Sequence, residues 1–302
     1  MRESLEDLVR SMPIRTSRES LPNLQEGGIV TYLTPETPYV WPDVILSAES
    51  DEGPSPVLLI AAPGAMGKSA AAKNIAFRLQ TIYVDLAQLR VGSGSLTGEL
   101  TKALGFKDAG VFVEDLKAGR ASIVLDSTDE AQLGVGRENY VAFLGDLMWL
   151  LLDAEPKSQV VLLGRRDATD TTLLGLMDLG LVPPLFQIAP LSHTQACELI
   201  DQTLDKKRSG DENFVVHRQH PIPFGAMRDG LFRSIGTALE PNCEHNADYW
   251  NDVDDFLGYP PVLLALAERL AVDNPAAELG SRPAGWCNSS SPCGSAELIM
   301  QQ

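Results

Sequence analysis

The chain has few cysteines and no long apolar run, and each shortage argues against a class of protein. Its four cysteines, Cys197, Cys243, Cys287 and Cys293, form no CxxC pair, so we expect free thiols, the default in a cytoplasmic protein. The longest apolar run covers residues 147–152, whereas a bilayer-spanning helix needs roughly 20 such residues. The N-terminus also lacks the apolar region of a signal peptide. We therefore expect a cytoplasmic protein with no membrane partner.

Basic residues are scarce as well. The chain has 24 Lys and Arg against 41 Asp and Glu, a formal net charge of −17. Because contacts to a phosphate backbone need clustered Lys and Arg, this balance argues against a general nucleic-acid-binding surface. The chain is long, however: 302 residues, 44% of them hydrophobic, suffice for one large or two modest domains with a packed core.

Residues 62–69, Ala-Pro-Gly-Ala-Met-Gly-Lys-Ser, are the most informative segment. The apolar run 56–60 precedes them and the helix-forming stretch 70–76 follows. A strand, a glycine-containing loop, Lys-Ser and a helix are the P-loop arrangement for nucleotide phosphates. Glycine lets the backbone curl towards the ligand, and the amides of a helix N-terminus favour negative charge. Lys68 is predicted to reach the β- and γ-phosphates, and Ser69 to bind Mg²⁺.

The match to the P-loop pattern is not complete. The strict pattern begins with Gly, where this chain has Ala62. An ordinary strand-to-helix turn that carries a lysine is the structural alternative. The residues predicted to surround the phosphates are Pro63, Gly64, Ala65, Met66, Gly67, Lys68, Ser69 and Ala70.

Short apolar runs alternate with helical patterns between residues 56 and 190. This alternation is typical of an α/β fold with a parallel sheet covered by helices on both faces. Later helical patterns predict a small helical lid domain, while 207–246 carry no assignment. The predicted strands are 57–60, 81–86, 123–125, 160–163 and 185–188; the predicted helices are 1–12, 67–80, 94–104, 136–153, 170–180, 192–206, 247–257 and 261–272. Two further strand-like pieces are 28–33 and 39–46.

Acidic residues follow the third apolar run. Asp126 ends it, and Asp129 and Glu130 come shortly after. An acid at the C-terminal end of a buried strand, beside the P-loop strand, lies where ligands bind in open α/β sheets. We expect Asp126 to hold the Mg²⁺ shell, and Glu130 or Asp129 to polarise a water for attack on the γ-phosphate. The alternative is a helix N-cap with acids in its first turn.

An arginine pair, Arg165 and Arg166, follows the fourth apolar run. An arginine at that edge of the sheet can contact the γ-phosphate and stabilise charge during phosphoryl transfer. We assign this role to Arg165 rather than to Arg166. The alternative is a solvated Arg165 that pairs with Asp167 or Asp170.

Together these elements resemble the STAND class of P-loop NTPases, within the AAA+-like branch, and its NACHT-type members in particular. Residues 125–130 (LDSTDE) match the second motif of that family, an apolar strand followed by Asp, a small residue, any residue, Asp and Glu. The third motif there is usually Thr-Ser-Arg, and of residues 163–165 (LGR) only Arg165 matches. Residues 258–260 (GYP) are similar to the Gly-x-Pro of the family's helical domain, and 189–192 (APLS) to its entry.

The resemblance covers roughly residues 55–272 and implies a Mg²⁺-dependent, ATP-hydrolysing conformational switch in signalling or defence. It implies a P-loop NTPase sheet with strand order 5-1-4-3-2, catalytic roles for Glu130, Asp129 and Arg165, Mg²⁺ at Ser69 and Asp126, and Pro260 near the adenine. The domains are then 1–54, an N-terminal helix and extended segment; 55–190, the NTPase core; 191–273, the lid; and 274–302, a poorly packed tail. The expected partners are ATP or ADP, with other proteins or further copies of the chain.

Several alternatives stay open from the sequence. Family members are usually longer, with a winged helix and sensor repeats, so the chain is a fragment, acts with separate partners, or resembles the family only in its core. A ring-forming AAA+ remodelling ATPase, a nucleotide-stabilised scaffold without hydrolysis and, less favoured, a small-molecule kinase are rival functions. A zinc site at His217, His220, Cys243 and His245 is conceivable, but the spacing fits no common zinc template, so surface loop residues are the simpler interpretation.

Overall fold

The structure, a computed structural model, describes residues 2–13, 22–31, 33–48, 53–151, 159–207, 218, 221–240 and 249–272. The chain divides into two compact units. The first comprises Met1–Glu36 and Trp41–Ala189, and the second comprises Thr37–Val40 and Pro190–Gln302. The predicted tail, 274–302, and the four residues considered for zinc lie outside the described residues.

The first unit is built on one mixed sheet. Its described strands are β1 (Arg2–Ser4), β2 (Gln25–Glu26), β3 (Ile29–Val30), β4 (Asp43–Leu46), β5 (Val57–Ala62), β6 (Ile82–Asp85), β7 (Ile123–Asp126), β8 (Val160–Arg165) and β9 (Leu185–Ile188). Their order is β1-β4-β9-β5-β8-β7-β6-β3-β2. The five central strands, β9-β5-β8-β7-β6, run parallel to one another, and the pairs outside them are antiparallel.

The sheet confirms the predicted α/β class and corrects two expectations. Numbered along the chain from β5 to β9, the parallel strands have the order 5-1-4-3-2 that was expected. The sheet is not purely parallel, because short strands from the N-terminal segment pair with both edges of the parallel core. Covering the edges in this way removes rows of unpaired backbone groups. Strand β7, which ends at Asp126, was also expected beside β5. It is not, since β8 lies between them.

Helices cover both faces of this sheet. They are α1 (Leu5–Ser11), α2 (Lys68–Leu79), α3 (Ser95–Leu104), α4 (Phe106–Lys117), α5 (Thr128–Val135), α6 (Arg137–Leu150) and α7 (Arg166–Asp178). All six residues of β5 are buried, as expected for a central strand shielded on both sides. Helices α4 and α5 were not predicted, and α7 begins earlier than expected, directly after β8.

The second unit is helical in its described part. Its helices are α8 (His193–Lys207), α9 (Pro221–Leu239), α10 (Trp250–Leu257) and α11 (Pro260–Val272). They share one apolar core that contains Ile200, Phe232, Trp250 and Leu266. Trp250 is therefore a core residue, and α9 falls in a segment that carried no assignment. No helix among the described residues of either unit is long and apolar enough to cross a membrane.

Two segments that resembled the family's helical domain meet within the second unit. The Leu191 amide donates to the Gly258 carbonyl at 3.0 Å, and the Trp250 indole Nε1 donates to the Leu191 carbonyl at 3.0 Å. Gly258 packs directly against neighbouring backbone: a Cβ there would lie 2.5 Å from the Asp254 carbonyl oxygen and 2.7 Å from the Leu191 carbonyl oxygen. The glycine is thus required by close backbone packing.

Gly258→Ala is expected to destabilise the second unit by about 1–3 kcal/mol, because rigid backbone atoms have to move to admit the methyl group. Chemical denaturation of the full chain, followed by circular dichroism, measures the change. Gly230→Ala on α9 is the matched control, since an added Cβ there has nothing within 4 Å. That control is expected to be neutral or stabilising, by up to about 1 kcal/mol. Equal destabilisation by both variants would contradict the close-packing explanation.

Candidate functional site

The loop between β5 and α2 has the backbone shape of an anion cradle. It leaves the buried strand at Ala62, and residues 63–65 are exposed. Gly67 has a φ of 78° and immediately precedes the first helical residue, Lys68. No side chain caps this helix, and its first amides have no partner within the helix. An anion placed here can accept hydrogen bonds from those amides and is favoured by the helix dipole.

Two residues of this loop adopt the left-handed conformation. Gly67 has open space around it, so a Cβ would meet nothing within 4 Å, and only its positive φ favours glycine. Ala65 has a φ of 58° although it carries a side chain. Non-glycine residues in this region are uncommon and cluster at ligand sites. The loop therefore has left-handed residues at two positions before α2, and its role in holding phosphate stays a prediction.

Asp126 ends β7 as a fully buried carboxylate. The Tyr83 hydroxyl donates to its Oδ2 at 3.0 Å and the Ser127 amide donates to its Oδ1 at 2.8 Å. The Ser69 side chain lies near enough to influence the Asp126 carboxyl. Burial raises the pKa of that carboxyl, and Ser69, Ser127 and Tyr83 only partly oppose the shift. The two residues predicted to hold Mg²⁺ thus lie near each other.

Asp129 joins the P-loop lysine to the arginine that ends β8. Its Oδ1 accepts from Lys68 Nζ at 2.5 Å and from the Arg165 amide at 3.3 Å, and its Oδ2 pairs with Arg165 Nε at 2.9 Å. Burial is the largest single influence and raises the pKa of Asp129, but the hydrogen bond and charge of Lys68, together with hydrogen bonds to Glu130 and to the backbone, outweigh it and hold that pKa below its ordinary value. Asp129 is thus an ionised bridge with both oxygens engaged.

Glu130 differs from its neighbour. It is exposed, and partial desolvation together with a hydrogen bond to Asp129 raises the pKa of its carboxyl. A carboxylate with a raised pKa and access to solvent is suited to accept a proton from water. Asp129 and Glu130 also lie in the first turn of α5, so the helix-start alternative is correct as local structure and does not compete with a role at the site.

The end of β8 shows what the sequence analysis missed. Arg165 pairs with Asp129, not with Asp167 or Asp170 as its alternative supposed, and Arg166 lies 4.0 Å from Asp170. A Cβ on Gly164 would lie only 2.0 Å from Thr128 Oγ1, so glycine is what allows the start of α5 to approach β8. The sequence signal for this close approach was Gly164 itself, which stands where the family's third motif, Thr-Ser-Arg, has Ser. Tyr83 was also missed, since nothing local in its strand marks it.

Not every predicted site residue belongs to this group. Lys68, Ser69, Asp126, Asp129 and Arg165 converge at the carboxyl ends of β5, β7 and β8, with Glu130 beside them. Pro260 begins α11 in the second unit, and its place near an adenine stays a prediction.

A scan of the chain against protein-family models finds no match, and a search of the curated proteins finds no similar sequence. The interpretation of the site therefore depends on the chemistry of its own residues. An uncapped helix N-terminus, a buried carboxylate near a serine hydroxyl, two cations and an exposed carboxylate with a raised pKa lie at one edge of the parallel strands.

Proposed function

We propose that the first unit binds ATP with Mg²⁺ and hydrolyses it slowly, as a P-loop NTPase that acts as a conformational switch. The observation that carries the proposal is the contact of Lys68, at the start of α2, with Asp129 in the first turn of α5, which follows the buried Asp126 at the end of β7. Hydroxyl and carboxylate oxygens are the ligands that Mg²⁺ prefers, usually with waters and phosphate oxygens completing the shell. A cytoplasmic location is part of this proposal.

Each residue has one task in the proposed reaction. Lys68 and Arg165 balance charge on the γ-phosphate, for which both have to exchange Asp129 for phosphate oxygens. Glu130 accepts a proton from the attacking water. Asp129 is the weaker candidate for that task, since it is buried whereas Glu130 is exposed to solvent. With ATP bound, Lys68 and Arg165 contact the γ-phosphate; with ADP bound, they return to Asp129. Contacts that differ between two states in this way shift the populations of the conformations.

Lys68→Ala tests the binding step. A charge-assisted hydrogen bond to phosphate is worth about 1.5–3 kcal/mol, so we expect the Kd for ATP with Mg²⁺ to rise roughly 10- to 100-fold. Isothermal titration calorimetry measures it. Lys73→Ala is the matched control: Lys73 lies on the same helix but pairs with Glu36 at 2.9 Å, and its loss should leave the Kd unchanged.

The outcome of this test distinguishes a site from a structural ion pair. If Lys68→Ala lowers the melting temperature but retains wild-type ATP affinity and hydrolysis, Lys68 serves only to hold Asp129, and the proposal is wrong. Turnover per chain that rises steeply with protein concentration would instead favour the ring-forming ATPase, because a ring presents an arginine to the phosphate of its neighbour.

A further inference from the structure

Three side chains of different metal-binding chemistry meet in the second unit, outside the proposed nucleotide site. His193 and Cys197 lie one turn apart on α8, and Asp229 projects from α9. Residues four apart on a helix share a face, so both side chains of α8 point the same way. One ligand atom from each of the three residues lies within 4.8 Å of the other two.

The spacing of these atoms is that of a metal site. His193 Nε2 lies 3.4 Å from Asp229 Oδ1 and 3.9 Å from Cys197 Sγ. Around a tetrahedral Zn²⁺ with bonds of about 2.0 Å to N and O and about 2.3 Å to S, the N and O ligands lie about 3.3 Å apart and N and S about 3.5 Å. The first distance exceeds its tetrahedral value by about 0.1 Å and the second by about 0.4 Å, while the Cys197 and Asp229 ligand atoms lie within 4.8 Å of each other; side-chain rotations have to close these gaps.

The surroundings fix the three side chains and leave one oxygen unsatisfied. The His193 ring meets Phe232 and Trp250 edge to face, with centroids 5.7 and 5.0 Å away. Within the described part of the chain, the buried Oδ1 of Asp229 accepts no hydrogen bond. Arg228 Nε lies 3.6 Å from that oxygen, and Arg228 Nη1 is engaged by Asp201 at 3.1 Å.

We propose that His193, Cys197 and Asp229 form a Zn²⁺-binding site in the helical unit, with water as the fourth ligand. Nitrogen and sulfur ligands select zinc over the oxygen-seeking Mg²⁺ and Ca²⁺. On binding, the Cys197 thiol releases its proton to solvent and the thiolate bonds to the metal. The bound ion then links α8 to α9. Without the ion, the partly exposed Asp229 is the residue of α9 that lies beside His193. The alternative is a metal-free contact between the imidazole and the carboxylate.

Cobalt(II) distinguishes the metal site from the metal-free contact between imidazole and carboxylate. A thiolate bound to Co²⁺ gives a charge-transfer absorption that imidazole and carboxylate ligands do not give. The full chain, freed of metal with a chelator, is titrated with Co²⁺ and then with competing Zn²⁺. We expect one equivalent of Co²⁺ with the thiolate band, lost when Zn²⁺ is added. The band should vanish in Cys197→Ser and persist in the matched control that replaces the other three cysteines, Cys243→Ser/Cys287→Ser/Cys293→Ser.

Two further variants keep the test decisive if Cys197→Ser does not fold. His193→Ala and Asp229→Asn each remove one ligand and are expected to weaken Zn²⁺ binding by roughly 10-fold or more, measured by competition with a chromophoric chelator. Absence of the band in the wild-type chain overturns the proposal, as does a band that depends on the other three cysteines. Unchanged Zn²⁺ affinity in both ligand variants overturns it as well.

Discussion

Glu130→Gln is expected to reduce ATP turnover by about 100- to 10,000-fold, the usual contribution of a general base, while ATP affinity stays near that of the wild type. Glutamine keeps the size of the side chain but cannot accept a proton from water. Binding should survive because Glu130 is exposed and holds neither Lys68 nor Arg165 in place. Single-turnover hydrolysis and titration calorimetry on the same preparation separate the two effects.

The wild-type pH profile supplies an independent check on this assignment. The Glu130 pKa is raised above its ordinary value, first by desolvation and then by the bond to Asp129. A base works only when ionised, so turnover should fall, as pH decreases, at a pH above the ordinary pKa of a glutamate. If Asp129 were the base, turnover would fall at a pH below the ordinary pKa of an aspartate, because the pKa of Asp129 is lowered.

The control for Glu130→Gln is the same change at an exposed glutamate on the next helix, Glu138→Gln, which should leave turnover unchanged. Two results would contradict the role of Glu130. Wild-type turnover in Glu130→Gln excludes it as the base. The second result is background hydrolysis in both the wild-type chain and Glu130→Gln, while ATP still raises the melting temperature of each. Bound nucleotide then only stabilises the fold, since a ligand that binds only the folded state raises stability by mass action.

The parallel core could be predicted from the sequence because its strands are short apolar runs buried on both faces. Every predicted run from 57–60 to 185–188 is a strand of that core. The edge strands β1 to β4 are two to four residues long. Strands β3 and β4 lie within the predicted strand-like pieces 28–33 and 39–46, whereas β2 was not predicted and β1 occupies residues that were predicted to be helical. Helix α4 is a different kind of miss: its buried Ala109, Phe112 and Leu116 have helical spacing that the sequence does display.

The P-loop, the acids and Arg165 could be singled out from the sequence, but not their pairings. Lys68 and Asp129 are 61 residues apart, and their contact depends on β8 lying between β5 and β7. The sequence left Glu130 and Asp129 as equal candidates for the base. Only the geometry separates them, because it engages both oxygens of Asp129 and leaves Glu130 at the surface.

Asp126→Asn is expected to have two effects of opposite sign. It should weaken Mg²⁺-dependent ATP binding on the order of 100-fold, since an uncharged amide replaces a carboxylate of the proposed metal site. It should also stabilise the chain without nucleotide at neutral pH, on the order of 1 kcal/mol, as is common when a functional carboxylate is removed. For a domain of this size that is roughly 2–4 °C in melting temperature.

The sign of the stability effect follows from the raised pKa of Asp126. A carboxyl whose pKa is higher in the folded than in the unfolded chain contributes stability below the unfolded pKa. That contribution is lost as pH rises through the folded pKa. Above the folded pKa the wild-type chain has lost it, whereas the asparagine variant has nothing to ionise. The difference in melting temperature should therefore shrink as pH falls and Asp126 becomes protonated in both states.

Asp85→Asn is the matched control for Asp126→Asn, because Asp85 stands directly opposite Asp126 in the register of β6 and β7. Asp85 caps the turn at 86–88 by accepting from the Ala87 amide, a task that asparagine also performs. The control should alter neither ATP affinity nor the melting temperature appreciably. If Asp126→Asn instead lowers stability at neutral pH, its bonds with Tyr83, Ser127 and Ser69 outweigh the desolvation of its charge, and Asp126 is a structural anchor. If it leaves Mg²⁺-dependent ATP binding unchanged, the metal site lies elsewhere.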